Sequence, residues 1–479
     1  MPIPQPPPRA RFSDCVSNPT CMIRLHVSIL TFGFALLAMS HVPATVISAQ
    51  PAAGFDSVQT NSLWQDVKNY GAVGDGVTRD TTAIQSAINA CPSGGFVWLH
   101  NGTFLSGTIY LKDNMTLYIA PTATLLGSGS MRDYPDLTPP LINGQTHNCK
   151  KALIYAQSCT NVTITGGGTI NGNGRLHFRS GVESTRPIPI WTALCREVNL
   201  QNIKVVDAAM WSVVNMQSDY LTISNLIVND HGLGGNRDGC DVVDCWHVTI
   251  SNCTIDSGDD AICLKSGNSR RGINDLLVKN CTITRSQSNG IKFGTASKGT
   301  FTNITFQDCT IQNTSHSAMA VESVDGGTIT SVTFQRIKFS GCQNAIFILL
   351  GSRSGAPVGN VNGITFRDIT GSNMTDTRGC PITGSFANGV DHLLNNIVFD
   401  KVNISFKGGL NFVPANPPVE FPGHYPENTI WKNLPAYGYY VRHATNVTFT
   451  NCSASVYPAD ARPWFATNDV SNLKVSALR

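Results

Sequence analysis

Three aspartates near the middle of the chain have the side chains and the spacing for acid–base chemistry. Asp238 lies in the segment Asn-Arg-Asp-Gly at 236–239, and Asp259 and Asp260 lie in Ser-Gly-Asp-Asp at 257–260. Carboxyl groups that are crowded together repel each other, which raises the pKa of at least one of them. A protonated carboxyl can donate a proton to a leaving oxygen while an ionised one deprotonates water. The three aspartates therefore predict hydrolysis of a glycosidic bond by a general acid and a general base.

The sequence around these aspartates repeats, and the repeat indicates which elements position them. The pattern Thr-Ile-x-Asn-(Leu/Cys)-x-Ile recurs with its Asn, Asp or Arg at positions 225, 252, 280, 308 and 336, so the steps are 27, 28, 28 and 28 residues. A fixed period of about 20–50 residues with alternating β-branched residues is typical of a solenoid. We therefore predict an all-β fold, a parallel β-helix whose coils stack about 4.8 Å apart. Asp238 and Asp259 are 21 residues apart, a plausible single coil, so all three carboxyl groups are expected to share one groove.

Composition and charge argue against several classes of function. The 479 residues carry a net charge of +3 with 14% charged residues and no block of Lys or Arg, which argues against a nucleic-acid partner. No Cys-x-x-Cys or His-x-x-x-His pair occurs, and we predict no metal and no cofactor. Cys253, Cys281 and Cys309 occupy the same position of the repeat and are expected to be stacked, buried thiols inside the coil.

Residues 1–49 are predicted to be a leader. An apolar run of about a dozen residues follows a short basic stretch, which is typical of a signal peptide over about 22–49, and translation is then expected to start at Met22. The alternative is an anchored protein with a cytoplasmic tail. Residues 50–479 are predicted to form one β-helix domain, a secreted monomer of the extracellular space or cell wall with no membrane contact after cleavage. Thirteen cysteines follow the leader, an odd number, so at least one is expected to lack an intramolecular partner.

Asn-x-Ser/Thr sequons predict a glycoprotein. They occur at Asn101, Asn114, Asn161, Asn252, Asn280, Asn303, Asn313, Asn373, Asn403, Asn446 and Asn451. Several of them coincide with the Asn of the repeat, where a ladder of side chains inside the coil is the competing explanation.

The N-terminal part of the domain is expected to close the first coil. Asp66–Tyr70 is predicted as an opening strand, and Asp80 as the N-cap of an amphipathic helix that covers the open edge. Further strands are predicted at Phe96–Leu99, Gly107–Leu111 and Met115–Ile119. Regular coils are expected from Gly166 to about Phe449, with a Pro-rich and aromatic insertion at 412–437. The insertion predicts either stacking on sugars or cover for a sheet edge.

Four motifs in chain order resemble a known enzyme family. They are Gly-Ala-x-Gly-Asp-Gly at 71–76, Ile-Thr-Gly-Gly-Gly-Thr-Ile-Asn-Gly at 164–172, Asn-x-Asp-Gly at 236–239 and Gly-Asp-Asp at 258–260. From about Leu63 onwards, the chain is similar to glycoside hydrolase family 28, the polygalacturonase-like pectin hydrolases. The resemblance implies a single-stranded right-handed parallel β-helix and inverting hydrolysis without a cofactor. It also implies that Asp259 is the general acid and that Asp238 and Asp260 activate water.

Two departures from the family pattern bear on the substrate. The family's Gly-His-Gly matches a segment in which Ser288 or Asn289 takes the place of the histidine. The family's Arg-Ile-Lys, which the resemblance assigns to gripping the galacturonate carboxylate, aligns with Ala-Val-Glu ending at Glu322. A glutamate repels an anionic sugar. The candidates for restoring positive charge are Lys292, Arg442 and His443.

We predict a polygalacturonase-like glycoside hydrolase that acts on a pectic, galacturonate-containing polysaccharide, in exo mode or on rhamnogalacturonan-type linkages. The predicted substrate-binding residues are Asn236, Asn289, Lys292, Glu322 and Arg442, with Glu322 expected on sugar hydroxyls beside the cut. Asp241 and Asp244 are expected to cap backbone turns. Two other classes stay open. One is a lyase or epimerase acting on uronates, with the three aspartates binding Ca²⁺, and the other is a non-catalytic glycan-binding protein of the cell surface.

Overall fold

The computed structural model describes residues 62–139, 149–177, 182–230 and 235–476. The predicted leader and the predicted start at Met22 lie outside the described residues. Within them, 33 strands form one continuous parallel sheet that winds into a right-handed β-helix, which confirms the predicted fold. The described helices include none with the length and hydropathy of a transmembrane segment.

The strands are short, and most coils of the solenoid contain two or three of them. In the first half of the chain they are β1 Trp64–Asp66, β2 Asp75–Arg79, β3 Gly95–Leu99, β4 Gly102–Ser106, β5 Ile109–Tyr110, β6 Met115–Ile119, β7 Ala123–Gly127, β8 Ala152–Gln157, β9 Thr160–Thr165, β10 Thr169–Asn171, β11 Ile188–Ala193, β12 Arg196–Val206, β13 Val213–Met216 and β14 Asp219–Asn229. The central strands are β15 Cys240–Val243, β16 Trp246–Ser251, β17 Thr254–Ser257, β18 Ile262–Ser266, β19 Gly272–Lys279, β20 Thr282–Ser286, β21 Ile291–Ser297, β22 Thr300–Gln307, β23 Thr310–Gln312, β24 Ser317–Ser323, β25 Thr328–Gln335, β26 Lys338–Ser340 and β27 Asn344–Leu350. The last strands are β28 Asn360–Ser372, β29 Cys380–Thr383, β30 Ser385–Ala387, β31 Val390–His392, β32 Leu394–Lys407, β33 Tyr439–Thr450, β34 Ser453–Tyr457 and β35 Phe465–Ser476.

Helical segments are few and short. They are α1 Thr81–Ala90, the four-residue α2 Gly174–His177, and 3-10 turns at Val67–Tyr70, Met131–Asp133, Glu183–Thr185, Arg353–Gly355 and Asn428–Ile430. β30 and β31 form a separate antiparallel hairpin beside the main sheet.

The register between strands confirms that the sequence repeat is one structural coil. Thr222 of β14 pairs with Thr249 of β16, and Thr249 pairs with Leu277 of β19. The same row continues through Thr305 of β22 and Thr333 of β25. These residues are 27, 28, 28 and 28 positions apart, as in the sequence pattern. Residues one coil apart are therefore neighbours on the same face of the sheet.

The Asn position of the repeat is a surface turn. Asn225, Asn252, Asn280, Asp308 and Arg336 all have φ between 52° and 56°. This left-handed backbone conformation is adopted more readily by Asn and Asp than by other non-glycine residues. Because Asn252 and Asn280 are exposed, the explanation of their sequons by a ladder inside the coil is wrong. Glycosylation at the sequons stays a prediction.

The interior of the coils is a continuous apolar column. Phe306, Phe334, Phe366, Phe399 and Phe449 lie on successive coils, and their neighbouring ring centroids are 4.9, 5.0, 5.1 and 4.3 Å apart with planes within 9° of parallel. These separations are close to the strand spacing of about 4.8 Å, so one aromatic residue per coil builds the stack. Each such pair contributes about 0.5–1.5 kcal/mol beyond its burial.

The cysteines are part of this interior. Cys253, Cys281 and Cys309 are buried in the main core on successive coils, which confirms the prediction of stacked thiols. All thirteen cysteines of the described residues are buried and free. The expectation that at least one cysteine lacks an intramolecular partner is therefore confirmed.

The helix α1 covers the first coil, as predicted. Its buried face includes Ile84 and Ile88, which join the main core. Asp80 occupies the N-cap position, but its carboxylate accepts hydrogen bonds from the N–H groups of Val73 at 2.7 Å and Gly74 at 3.0 Å rather than from the helix. Asp80 thus joins the glycine-rich turn to the start of the capping helix.

The prediction of a strand over Asp66–Tyr70 is wrong beyond its first residue. Strand β1 ends at Asp66, and Val67–Tyr70 forms a 3-10 helix. The Asp66 side chain accepts a hydrogen bond from the N–H of Lys68, and Gly71 ends the turn with φ of 95°. A local side-chain bond to the backbone offers an alternative to strand pairing, and here it overrides the β-branched pattern.

Regular stacking extends further in both directions than predicted. β3, β6 and β9 already pair in register ahead of Gly166, and β33 pairs with β35 up to Ser476, well past Phe449. The strands predicted at Phe96–Leu99 and Met115–Ile119 are confirmed. The strand predicted at Gly107–Leu111 shrinks to Ile109–Tyr110, because Gly107 packs directly against the backbone of Asp133.

The insertion at 412–437 covers the outer face of the C-terminal coils. Its Trp431 and Leu434 pack on Phe347 of β27 and Tyr440 of β33 in a cluster separate from the main core. One of the two predicted roles of the insertion, cover for the sheet, is therefore confirmed. Stacking on sugars stays a prediction.

Candidate active site

The three aspartates lie on neighbouring coils, as predicted. Asp238 immediately precedes β15, and Asp259 and Asp260 immediately precede β18. Cys240 of β15 pairs with Ile262 of β18, so the loops before the two strands are adjacent. All three aspartates border the same cavity.

Gly239 allows the two coils to approach each other beside the carboxyl groups. Its N–H donates to the carbonyl oxygen of Asp260 at 2.9 Å. A Cβ at this position would lie 2.6 Å from the carbonyl oxygen of Ala261 and 2.6 Å from Cγ2 of Ile255. A larger residue would therefore separate the coils. With glycine, carboxylate oxygens of Asp238 and Asp260 lie within 4.8 Å of each other.

The cavity above these coils has a volume of about 580 Å³. Small-ligand pockets typically measure about 300–1,000 Å³. The lining residues are Trp211, Asn236, Asp238, Asp259, Asp260, Lys265, Gln287, Ser288, Thr295, Ala296, Lys298, His316, Arg353, Tyr425 and Glu427. Carboxyl, amide, hydroxyl and aromatic groups therefore converge in one place, as the binding of a sugar requires.

Lys265 of β18 holds the Asp238 side of the site. Its ammonium lies 2.5 Å from Oδ2 of Asp238, also contacts Asp241, and lies 3.7 Å from the centroid of the Trp211 ring. Burial alone would lower the pKa of Lys265, but the two carboxylates outweigh it, and the pKa lies well above its ordinary value. Burial raises the pKa of Asp241 to about 6 and that of Asp238 as well. The ammonium thus stays charged, and the two carboxyls share the negative charge beside it.

Asp260 is held ionised and fixed in orientation. The ammonium of Lys292 lies 3.2 Å from its Oδ2, and the N–H and the side-chain amide of Asn289 both donate to its Oδ1 at 2.9 Å. Burial acts to raise the pKa of Asp260. The ammonium groups of Lys292 and Lys265 and the bonds from Asn289 outweigh burial, so the pKa lies below its ordinary value.

Asp259 has a different environment from its two neighbours. Its carboxyl accepts hydrogen bonds from the N–H groups of Asn236 at 3.2 Å and of Asp260 at 2.9 Å, and it makes no ion pair within the described part of the chain. Burial raises the pKa of Asp259 to about 7, and the charges of Asp238 and Asp260 act in the same direction. Near neutral pH, a large fraction of Asp259 therefore carries a proton that it can donate into the cavity.

Glu322 lies behind the site and is completely buried. Neither of its carboxyl oxygens has a hydrogen-bond partner among the described residues, and the ammonium of Lys292 lies 3.8 Å from Oε2. Burial raises the pKa of Glu322 to about 8, with Lys292 acting in the opposite direction. A neutral Glu322 does not repel an anionic sugar, so the repulsion suggested by the sequence is removed near neutral pH.

The predicted substrate-binding residues lie at different depths. Asn236 borders the cavity. The amide of Asn289 is fully used, because its oxygen accepts from the N–H of Ser317 at 3.0 Å while its nitrogen donates to Asp260. Asn289 thus positions Asp260, and its contact with substrate stays a prediction.

Lys292, Glu322 and Arg442 do not line the cavity. Lys292 is buried beneath Tyr425, whose hydroxyl lies 3.5 Å from its ammonium. Arg442 lies on a later coil, where its guanidinium forms an ion pair of 2.5 Å with Glu420 of the insertion. Substrate contact by these three residues also stays a prediction.

The two aspartates expected to cap turns behave differently. Asp244 accepts hydrogen bonds from the N–H groups of Gly267 and Asn268 at 3.0 and 3.1 Å, which confirms its predicted role. For Asp241 the prediction is wrong. It lies within β15, with its side chain on the outer side of the sheet, and it contacts Lys265 instead of a turn.

Several residues that border the cavity were missed by the sequence analysis. They include Trp211, Lys265, Lys298, His316, Tyr425 and Glu427. Lys265 had a readable signal, because it follows Cys263 by two positions in one strand and so lies on the same side of the sheet. His316 had a weaker one: its N–H donates to the carbonyl of Ser288 at 2.9 Å, so it follows the vacated histidine position by one coil. Tyr425 comes from the insertion and has no such signal.

Lys298 is the available cation at the rim of the cavity. It is exposed, and it forms no ion pair with any described residue. Arg353, by contrast, is held by Asp325 through two hydrogen bonds of 2.9 Å. Nδ1 of His316 lies 3.8 Å from Glu427. An anionic group of a ligand would therefore find its free positive partner in Lys298.

Comparison with known proteins adds to this geometry. The family model for glycosyl hydrolases family 28 matches residues 114–420. A probable polygalacturonase of Vitis vinifera is 26% identical over 293 residues, which cover 57% of this chain and 60% of that protein. An exo-poly-alpha-D-galacturonosidase of Dickeya chrysanthemi is 25% identical over 255 residues, 42% of each chain. The chain spans about half the length of the curated relatives it matches.

A solved structure shares the fold. The family 28 exopolygalacturonase of Yersinia enterocolitica aligns with a TM-score of 0.68 at 19% identity, covering 86% of this chain and 78% of that one. At this level of identity the likeness establishes the β-helix architecture and nothing further.

Proposed function

The chain belongs to glycosyl hydrolases family 28, and from this premise we propose that it hydrolyses a glycosidic bond of a pectic, galacturonate-containing polysaccharide. The observation that supports this most directly is the cavity bordered by Asp238, Asp259 and Asp260. The environments of the three carboxyls differ in the way that acid–base catalysis requires.

In the proposed reaction, Asp259 is the general acid. Its carboxyl, whose pKa burial raises to about 7, gives its proton to the glycosidic oxygen as the bond from that oxygen to C1 breaks. Asp260 takes a proton from a water molecule, and the water oxygen forms the new bond to C1. Asp238 accepts the second hydrogen bond of that water. Because the water enters on the face opposite the leaving group, the configuration at C1 inverts.

The two lysines favour hydrolysis over the lyase alternative. Their ammonium groups lie against Asp238 and Asp260 at 2.5 and 3.2 Å. A Ca²⁺ ion among these carboxylates would be placed next to two positive charges, which is electrostatically unfavourable. In the hydrolase, the same lysines keep negative charge on the carboxylates that activate water.

We also propose that Lys298 binds the carboxylate of the substrate. The family's Arg-Ile-Lys is missing, and Lys292 and Arg442 are each paired with carboxylates of the protein. Lys298 is the exposed cation at the rim of the cavity. An ammonium group is a point charge on a flexible stem, so it can reach a uronate carboxylate without a fixed geometry.

The shape of the site supports an exo mode of attack. Trp431 and Leu434 cover the outer face of the coils beyond Lys292, and Tyr425 lies over Lys292 itself. A polysaccharide lying along this face would meet the insertion directly beyond the aspartates. The end of a chain therefore fits the cavity better than the middle of one, and we propose that sugars are released from a chain end.

We further propose that the protein is a secreted monomer and glycoprotein that acts on polysaccharide outside the cell. The support is the predicted signal peptide at about 22–49, the Asn-x-Ser/Thr sequons and the extracellular location of pectic substrates.

Digestion of defined substrates tests the proposal. The full chain is incubated with oligogalacturonates of known length, homogalacturonan and rhamnogalacturonan. We expect reducing ends to appear, with monosaccharide as the first product of the oligogalacturonates and with inverted anomeric configuration by NMR. Absorbance of an unsaturated uronate would indicate a lyase. Retained binding with neither product would indicate a glycan-binding protein, and either result would contradict the proposal.

A further inference from the structure

A histidine surrounded by carboxylates lies at the corner of the last coils, away from the catalytic cavity. His443 is 5% exposed. Its Nε2 lies 2.8 Å from Oε1 of Glu420, and its Nδ1 lies 2.6 Å from Oδ2 of Asp469 and 3.4 Å from Oδ1 of Asp391. None of these four residues borders the catalytic cavity.

Four separate parts of the chain supply this cluster. His443 and Asp469 occupy the same corner of successive coils, because β33 and β35 pair in register on both sides of them. Asp391 comes from the hairpin β30–β31, and Glu420 comes from the insertion. Arg442 fixes Glu420 with an ion pair of 2.5 Å. The arrangement therefore depends on the completed C-terminal coils and not on a local sequence motif.

A neutral imidazole cannot satisfy these contacts. It carries a hydrogen on one ring nitrogen and a lone pair on the other. If Nε2 donates to Glu420, the lone pair of Nδ1 faces the oxygen lone pairs of Asp469 at 2.6 Å, which is repulsive. The three carboxylates also outnumber the single guanidinium of Arg442. A cation must therefore lie between Nδ1 and the two aspartates.

We propose that Nδ1 of His443 and the carboxylates of Asp391 and Asp469 bind a divalent transition-metal ion, zinc or manganese. One donor atom from each residue lies within 4.8 Å of the others. The aspartate side chains are 52% and 49% exposed, so the ion can enter from solvent and water can complete its coordination. Mixed imidazole and carboxylate donors suit these metals.

The fourth residue of the cluster fits this role as well. A histidine that binds a metal usually donates its other N–H to a carboxylate, which fixes the tautomer and the ring orientation. Glu420 is in this position at Nε2. Because Glu420 belongs to the insertion, the metal would join the last coils, the hairpin and the insertion that carries Tyr425 and Trp431. The proposal is independent of the reaction that the catalytic cavity performs.

Metal titration of the full chain tests the site. The protein is stripped with EDTA, dialysed at pH 7.5 and titrated calorimetrically with zinc chloride or manganese chloride alone. We expect one saturable site and a thermal unfolding midpoint that rises with metal concentration, since a ligand that binds the folded state stabilises it. Binding should be at least about tenfold weaker in Asp469→Asn.

Asp391→Asn is the second variant, and Asp308→Asn is the matched control. Asp308 is a partly exposed aspartate that pairs with Arg336 on an earlier coil, so its variant should bind metal like the unchanged protein. If no saturable binding occurs, the imidazole is bridged by a proton alone and the proposal fails. If both cluster variants fold and bind as tightly as the unchanged protein, the metal lies elsewhere and the proposal also fails.

Discussion

Two rows of side chains on the same five strands have opposite chemistry. On β15, β18, β21, β24 and β27 the inward row consists of Val242, Leu264, Phe293, Val321 and Ile348. The outward row, one position earlier on each strand, consists of Asp241, Cys263, Lys292, Ala320 and Phe347. The inward residues all belong to the main core, and the outward residues do not.

The difference shows where this fold accepts charge. The inward row must fill a closed column at close-packed density, so a polar group there would lose its water without gaining a partner. The outward row has room for Asp241 and Lys292 because Lys265 and Asp260 pair with them. Charge is confined to a few neighbouring coils, and the outward row becomes apolar again where the insertion covers Phe347.

The largest expected effect breaks the outward chemistry without changing the packing. Asp259→Asn removes the proposed acid but keeps the size of the side chain, and we expect kcat to fall by about 10²–10⁴ while the thermal unfolding midpoint stays within a few degrees. Reducing-end assays and thermal unfolding measure the two quantities. Asp308→Asn is the control and should leave kcat unchanged. Full activity in Asp259→Asn would remove the role assigned to this carboxyl.

Breaking the inward row should have the opposite signature. Phe293→Ala removes a ring that packs against Phe301, Phe306 and Phe334. We expect the free energy of unfolding to fall by about 3–5 kcal/mol, with the pH dependence of the remaining activity unchanged. Denaturant titration measures the loss, and Phe293→Leu should lose less. A changed pH profile with intact stability would contradict the separation of the two rows.

The pH dependence of activity sharpens the comparison, because it arises in the outward chemistry alone. Asp259 must be protonated to donate, and its pKa is raised to about 7. We expect kcat/KM to fall about tenfold per pH unit above an apparent pKa near 7. A raised pKa also means that this group's contribution to stability is complete below its unfolded value near 4 and is lost as pH rises through about 7. A pH–rate profile that stays flat to pH 9 would exclude Asp259 as the acid.

The smallest expected effect concerns the rim of the cavity. Lys298→Met removes an exposed charge, so we expect KM for oligogalacturonates to rise about two- to fivefold with kcat little changed. Methyl-esterified substrates, which lack the negative charge, should show no such increase. Lys338→Met, at an exposed lysine on β26, is the matched control. Equal KM changes for charged and esterified substrates would show that Lys298 does not bind the carboxylate.

Much of the fold was predictable because the repeat acts on every coil. A period of 28 residues, read from positions such as Asn252 and Asn280, is the register of the sheet, and it places Asp238 beside Asp260. Periodicity does not report what ends a strand. The 3-10 turn at Val67–Tyr70 depends on a local bond from Lys68 to the Asp66 side chain, and the pattern of apolar residues cannot reveal it.

The site was predictable in its acids and less so in its bases. The aspartates belong to motifs, but the partners that divide their charge do not. Lys265 is recognised as a partner only when β15 and β18 lie side by side. Glu322 reads as an anion in sequence, and only complete burial turns it into a neutral group near neutral pH. The cluster around His443 draws on residues separated by up to 78 positions, so no spacing rule finds it.

The insertion between β32 and β33 separates register from chain length. Val398 pairs with Thr448 across 50 residues as regularly as Asn199 pairs with Thr222 across 23. Such excursions leave the neighbouring strands in place, because each coil is held only by the coils next to it. New substrate preferences are therefore accessible by inserting, deleting or exchanging whole connecting segments, with no need to re-optimise the interior. A chimera that replaces 412–437 by a short turn is a direct route to an open-ended groove.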